Sequence, residues 1–150
     1  MSTATPSTPP RANRRHIRIE WGDCDPAGIV YFPRYFEIFD ASTAWAFEAV
    51  GLPKPRLIEQ YKIIGLPAVD VRAQFSLPCS YGEDVVIETR ITEWGRSSFK
   101  VHHLLLKHHA TAVEGFEVRV WTGRDPETPT KLRGQPIPHE VIERFTGTSL

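Results

Sequence analysis

The order of apolar patterns along this chain predicts an α+β domain, with a five-stranded antiparallel sheet wrapped around one long central helix. Three observations carry that expectation. Residues 33–50 are apolar at helical spacing around most of their circumference. Segments 66–77, 84–94, 98–109 and 112–122 follow with strand-like composition or alternation. A further alternating segment, 15–21, precedes the helix. Strands that follow one another through short turns pair antiparallel.

Residues 1–13 are expected to be a disordered N-terminal tail. Their first ten positions are rich in Ser, Thr and Pro and contain no apolar core, so they do not read as a secretory signal. Residues 14–150 are expected to form a single domain, with no internal repeat. In 15–21, Ile17 and Ile19 alternate with Arg18 and Glu20. Residues 22–32 then read as a turn-rich loop. Pro33 suits the first helical turn, where its missing N–H costs nothing. The helix is expected to stop before Gly51, with Pro53 just beyond. Its polar positions Arg34, Glu37, Asp40 and Glu48 fall on one narrow stripe, so the remaining surface must be covered. Residues 52–65 read as an irregular or short helical connector. Turns are expected at 80–83, 94–96 and 110–112, and a short helix at 136–145.

Composition narrows the function. The chain has 150 residues, 41% hydrophobic and 24% charged, with a formal net charge of zero. That balance offers no electrostatic footprint for nucleic acid or for an anionic membrane, and no apolar run reaches transmembrane length. The two cysteines, Cys24 and Cys79, do not make a disulfide framework, which points to a cytoplasmic protein.

The most informative stretch is Glu20-Trp21-Gly22-Asp23-Cys24-Asp25-Pro26-Ala27-Gly28-Ile29-Val30-Tyr31-Phe32-Pro33. Two carboxylates, Asp23 and Asp25, stand two residues apart directly before the long helix. A helix start offers unpaired N–H groups and partial positive charge. A carboxylate beside such donors can attack an acyl carbon or activate water while an amide receives the oxyanion. Taken alone, an Asp before Pro is ordinarily a turn or cap residue. Asp23 is expected to orient the loop through backbone hydrogen bonds. Cys24 sits between carboxylates, which disfavour a thiolate, so both cysteines read as buried and inert. His102, His103, His108 and His109 lack partners at ligand spacing, and adjacent strand positions face opposite sides. They read as a solvated or interface strand, with no metal site. Glu37 and Asp40 read as satisfied or solvent-facing; the alternative for Asp40 is the pocket or a dimer contact.

The run from Asp23 to Tyr35 closely resembles the active-site loop of hot-dog-fold acyl-CoA thioesterases, nearest to the 4-hydroxybenzoyl-CoA thioesterase-like family. The likeness continues through Gly51-Leu52-Pro53, Gly65-Leu66-Pro67, Tyr81-Gly82-Glu83-Asp84, Glu93-Trp94 and Ser98-Phe99. It implies a hot-dog fold, and Asp25 as the catalytic carboxylate, acting as nucleophile or as general base. It implies the Phe32 backbone N–H as oxyanion donor, with Tyr31, Gly65 and Asp23 near the substrate. It implies dimers with sheets joined edge to edge, often paired into tetramers, and sites shared between chains. Coenzyme A would be a substrate component; no metal and no resident cofactor is implied. Its phosphates ask for basic residues, and Arg96, Lys100 and Arg133 are the candidates, with Arg124 and Lys131 further possibilities. The family carries a denser basic cluster after Glu-Trp, where this chain has Gly95-Arg96-Ser97-Ser98. The expected activity is hydrolysis of an aromatic acyl-CoA. The alternatives are a short-chain aliphatic thioesterase and a non-catalytic module binding acyl-CoA or acyl carrier protein. Short-chain relatives usually carry His where this chain has Phe32, and retention of Asp25 argues for catalysis.

Overall fold

The structure, a computed structural model, describes residues 11–147. The expected disorder of residues 1–10 therefore lies outside the described residues. Strand β1 (Asn13–Arg18) leads through a 3₁₀ turn (Trp21–Asp23) to helix α1 (Pro33–Ala49) and helix α2 (Lys54–Tyr61). Strands β2 (Ala68–Phe75), β3 (Asp84–Trp94), β4 (Ser98–Lys107) and β5 (Ala110–Val120) follow. A small hairpin, β6 (Thr122–Arg124) with β7 (Leu132–Gly134), and helix α3 (His139–Thr146) close the chain. The main sheet runs β1-β3-β4-β5-β2, with every neighbouring pair antiparallel. This is the expected hot-dog α+β architecture.

The boundaries differ from expectation where a partner or a turn decides them. β1 begins at Asn13, because the long β3 offers a ladder partner as far as Thr89; that residue was assigned to the tail. It ends at Arg18, because residues 20–23 close on themselves through the capping contacts of Glu20 and Asp23. The β4–β5 turn falls at His108 and His109, both with positive φ (48° and 66°). Such a two-residue turn usually takes Asn or Gly, so composition placed it a few residues late. The β6–β7 hairpin was not anticipated.

α1 stops as its sequence demands. Gly51 adopts φ 82°, its N–H reaches the Glu48 carbonyl, and the Leu52 N–H returns to the Phe47 carbonyl. Leu52 and Phe47 pack together in the core, completing a Schellman closure. Coverage of α1 is one-sided. Tyr35, Phe39, Ser42, Thr43, Ala46 and Phe47 are buried, whereas Trp45 is 47% exposed. A single copy of the chain thus leaves uncovered part of a helix that was expected to be enclosed. Gly115 makes room for the sheet side of this packing: a Cβ there would meet the Phe39 ring at 2.6 Å.

Two apolar cores flank a polar layer. One gathers Ile19, Val30, Tyr35, Phe39, Cys79, Ile87 and Leu105; the other Phe47, Leu57, Ile91, Phe99, Val101 and Trp121. Between them the buried His103 Nε2 lies 3.0 Å from Glu117 Oε1 and 3.2 Å from Thr43 Oγ1, and its Nδ1 lies 2.8 Å from Thr89 Oγ1. His103 was expected on a solvated or interface strand. It is inside because adjacent strand residues face opposite ways, which leaves His102 half-buried outside against Glu114. Arg119 donates to Glu117 from Nε and Nη2, at 3.1 and 2.8 Å. Burial alone would push the Glu117 carboxyl up, but hydrogen bonds from His103 and Arg119, with their charge, outweigh it and hold it at about 2.

Among the described residues, no helix is long and apolar enough to cross a membrane. The lowered Glu117 carboxyl, about 2 against an ordinary 4.5, stabilises the fold above pH 4.5, and that stabilisation fades as pH falls toward 2. Its share is on the order of 3 kcal/mol. Urea unfolding of the parent and of Glu117→Gln should therefore show a stability gap that narrows across this acid range. A gap of constant size would contradict the assignment.

Candidate active site

Residues 23–31 form a miniature hairpin. The Tyr31 N–H reaches the Asp23 carbonyl at 2.8 Å, the Asp25 N–H reaches the Ile29 carbonyl at 3.0 Å, and Cys24 pairs with Val30 as an isolated bridge. Alternation then divides its side chains. Cys24 and Val30 turn toward the first apolar core. Asp23, Asp25, Ile29 and Tyr31 share the opposite, outward face. The hairpin is tied down by the Val30 N–H, which donates to the Cys79 carbonyl at 2.8 Å, and by a bridge from Ile29 to Ser80. The 78–83 segment is itself fixed: Lys107 donates to the Pro78 carbonyl and pairs with Glu83 at 2.7 Å.

Asp25 is half-buried on this face. Its Oδ1 accepts the Ala27 N–H at 2.8 Å, which sets the carboxylate's direction. Among the described residues Oδ2 meets no hydrogen-bond donor. Asp23 Oδ2 accepts the Glu20 N–H at 2.9 Å, the loop-orienting contact expected of it. Cys24 was expected to be buried; it is half-buried, with Sγ 3.7 Å from the Glu20 carbonyl. It faces the core from the side opposite the carboxylates. Burial raises the Cys79 thiol above its ordinary value, which leaves little thiolate there.

The helix mouth contributes one free donor. The N–H groups of Val30 and Tyr31 are taken by Cys79 and Asp23, and those of Arg34 and Tyr35 by the Tyr31 and Phe32 carbonyls. Pro33 has none. Among the described residues the Phe32 N–H alone in this run finds no acceptor, at the positive end of a 17-residue helix. The loop and the 78–83 segment that anchors it carry exposed aromatic rings: Trp21 at 71%, Phe32 at 58% and Tyr31 and Tyr81 each at 50%. Trp21 meets Tyr81 edge-on with centroids 5.6 Å apart.

The structure brings together Asp23, Asp25, Tyr31 and Phe32, and leaves the other candidates elsewhere. Gly65 bridges Thr122, and Arg96 lies in the β3–β4 turn. Both belong to the end of the sheet opposite the Asp25 loop, which adjoins the start of β3. An 11-residue strand separates the ends, about 30 Å at the rise of an extended chain. Arg133 is exposed on β7, whose next residue, Gly134, lies against Ser97 of the β3–β4 turn. Lys100 is exposed, but its ammonium pairs with Glu93 at 3.0 Å.

Sequence reasoning missed a second polar cluster at that far end. Asp40, read as satisfied or solvent-facing with a pocket or dimer contact as the alternative, accepts a hydrogen bond from Arg119 Nη2 at 2.7 Å; its partners Arg119 and Glu117 were not anticipated. Asp40 and Arg119 line a cavity of about 360 Å³ with Gly65, Leu66 and Pro67. Two other stripe positions, Arg34 and Glu37, pair with each other at 2.7 Å. Among the described residues, no three His, Cys, Asp or Glu side chains gather to hold a metal ion.

A profile of the thioesterase-like superfamily matches residues 19–145. The 4-hydroxybenzoyl-CoA thioesterase of Pseudomonas sp. (strain CBS-3) is 38% identical over 132 residues, spanning 84% of this chain and 92% of that protein. Among solved structures, an Asp-to-Asn mutant of 4-hydroxybenzoyl CoA thioesterase, complexed with 4-hydroxybenzoyl CoA, superposes with a TM-score of 0.82. It has 34% identity and covers 90% of this chain and 99% of its own. A gentisyl-coenzyme A thioesterase superposes with a TM-score of 0.77, 34% identity, and coverage of 87% and 99%.

The hairpin turn depends on Gly28, at φ 82° with open space where a Cβ would stand. Gly28→Ala should cost about 1–2 kcal/mol through backbone strain alone. Urea midpoints measure it, and an unchanged midpoint would show that the turn adopts another conformation.

Proposed function

The chain belongs to the thioesterase-like superfamily, and on that premise we propose that it is an acyl-CoA thioesterase acting on an aromatic thioester. A 4-hydroxybenzoyl-CoA-like or benzoyl-CoA-like substrate would give the free acid and coenzyme A. The observation that carries this reading is a pair of groups, unspent among the described residues, on the loop that leads into α1: the Asp25 Oδ2 and the Phe32 N–H. The relatives that act on 4-hydroxybenzoyl-CoA and gentisyl-coenzyme A support the aromatic substrate class.

Two routes use these groups. In one, Asp25 attacks the thioester carbonyl, the C–S bond breaks, and coenzyme A leaves as a thiolate that is then protonated. Water hydrolyses the resulting mixed anhydride and restores Asp25. In the other, Asp25 takes a proton from water as that water attacks, and collapse of the tetrahedral intermediate expels the thiolate. Either way the Phe32 N–H receives the oxyanion; a single such donor is worth about 3 kcal/mol. A thiolate is a good leaving group, so neither route calls on a metal or a resident cofactor. Arg96, Lys100 and Arg133 remain the candidates for the coenzyme A phosphates, with Lys100 needing to leave Glu93.

The distances favour a shared site. A ligand bound at Asp25 meets neither Gly65 nor Arg96 of the same chain. β2 pairs with β5 on one side and leaves its other edge open. It exposes Val69, Val71 and Phe75 alternating with Asp70, Arg72 and Gln74, whereas the other sheet edge, β1, carries the more densely cationic Arg14, Arg15, His16 and Arg18. Charged edges resist pairing and apolar ones invite it. Two β2 strands paired antiparallel about a two-fold axis would bring the Gly65 end of one chain beside the Asp25 loop of the other. We assign a homodimer on this edge, with a homotetramer as its further association. Free thiols at Cys24 and Cys79 suit the cytoplasm.

Asp25→Asn should lower kcat for benzoyl- and 4-hydroxybenzoyl-CoA by about a thousandfold or more, with KM changed far less. Steady-state release of the coenzyme A thiol reads this out. Wild-type turnover by that variant would overturn the role of Asp25. Absence of turnover by the parent on a broad acyl-CoA panel would favour a binding module.

A further inference from the structure

One ion pair lies behind the Asp25 loop, joined to Asp25 itself by no hydrogen bond or ion pair among the described residues. Lys107 ends β4, and its Nζ lies 2.7 Å from Glu83 Oε2, with the two side chains 23% and 24% exposed. The same ammonium donates to the Pro78 carbonyl at 3.0 Å. Glu83 Oε1 accepts the Ser80 N–H at 3.0 Å. The backbone of Glu83 is fixed in turn: its carbonyl accepts the Ile19 N–H at 2.9 Å, and the Gly82 N–H returns to the Ile19 carbonyl at 2.8 Å. Ile19 is fully buried. Burial would raise the Glu83 carboxyl, but Lys107 and Ser80 outweigh it and hold it below its ordinary value.

A part-exposed ion pair by itself contributes little to stability. What this one grips sets it apart. The Ser80 N–H belongs to the same peptide unit as the Cys79 carbonyl, and that carbonyl receives the Val30 N–H. A peptide unit is planar, so its N–H and C=O turn together. Glu83 therefore holds one side of the plane from whose other side the 23–31 hairpin hangs. Lys107 holds the preceding carbonyl, Pro78, so both peptide units that meet at Cys79 are gripped. A carboxylate on the N–H also polarises the unit and strengthens its carbonyl as an acceptor. From Val30 the path ends in its pairing with Cys24, the pairing that turns Asp25 outward.

We propose that Glu83 and Lys107 are positioning residues for the hydrolysis: by fixing the Cys79–Ser80 peptide they keep the Asp25 carboxylate and the Phe32 N–H in register with one acyl carbon. The inference rests on the thioesterase reading above and extends it to two residues outside the site. Asp25 and Phe32 flank Val30 in the chain, so a shift of its anchor moves both. A carboxylate displaced by about an ångström loses its line of attack. The exposed surface that binds the ester is left in place, so the loss falls on kcat and spares KM.

The test measures steady-state hydrolysis of 4-hydroxybenzoyl-CoA by the parent, Lys107→Met and Glu83→Gln, with circular dichroism and urea midpoints reporting the folded fraction. Lys107→Met removes the donor to Pro78 and the cation facing Glu83. Its kcat per folded molecule should fall about tenfold or more, with KM within about twofold of the parent. Glu83→Gln keeps an oxygen for the Ser80 N–H but loses the charge, and its kcat should fall about threefold to tenfold. Parental kcat in folded Lys107→Met, whatever its urea midpoint, would make the pair merely structural and overturn the inference while the thioesterase reading stands. A raised KM with parental kcat would place the pair in substrate binding and overturn it as well. A parent that turns over no acyl-CoA would sink both readings. Should Lys107→Met fail to fold, Glu83→Gln decides: a lower kcat at unchanged KM supports the inference, and parental kcat overturns it.

Discussion

The hydrogen bond from the Val30 N–H to the Cys79 carbonyl, 2.8 Å long, ties the hairpin of residues 23–31 to the turn that launches β3. With the Ile29–Ser80 bridge, it lets Cys24 and Val30 sink toward the core. Alternation then forces Asp25 and Tyr31 outward. The same crossing sets the entry of the chain into α1, so one anchor positions both the carboxylate and the helix mouth. Ala27 completes the geometry by holding one carboxylate oxygen.

The second organising feature is the polar layer that divides the core. A buried ion pair is a weak source of stability in itself, but breaking it by removing one partner is expensive. Here Glu117 and Arg119 are matched by His103 and Thr43 and, at the rim, by Asp40. The layer thus does more than tolerate burial: it hands a fixed carboxylate to a cavity wall. The acid sensitivity expected of Glu117 and the fixed position of Asp40 depend on the same residues.

The fold was legible because its signals are local. Pro33, Gly51 and the apolar run between them define α1, and the consecutive strands define an antiparallel sheet. The Asp25 loop was legible through its motif and its register with the helix. Other features depended on long-range partners. In β5 the alternation of Phe116, Val118 and Val120 with Glu117 and Arg119 suggests apolar residues inward, yet the charged pair is buried and the apolar set half-exposed. Nothing in that segment announces that His103 and Thr43, far away in sequence, supply the compensation. Asp40 was placed with Glu37 for the same reason: its partner lies 79 residues on. Likewise Gly65 shares the family likeness with Asp25 but not an end of the sheet, and Arg96, in a turn that departs from the family pattern, lies at the Gly65 end.

That separation makes the central claim a statement about two chains: Asp25 of one works on an acyl group seated at the Gly65 end of the other. Mixing two inactive variants tests it most directly. Asp25→Asn removes the carboxylate, and Ala44→Trp, on the cavity wall, fills the pocket. Unfolded together and refolded, they should recover about a quarter of parental turnover, because half the dimers are mixed and each mixed dimer holds one intact site. Activity that stays at the level of the separate variants, with mixed dimers demonstrated in solution, would contradict a site shared between chains.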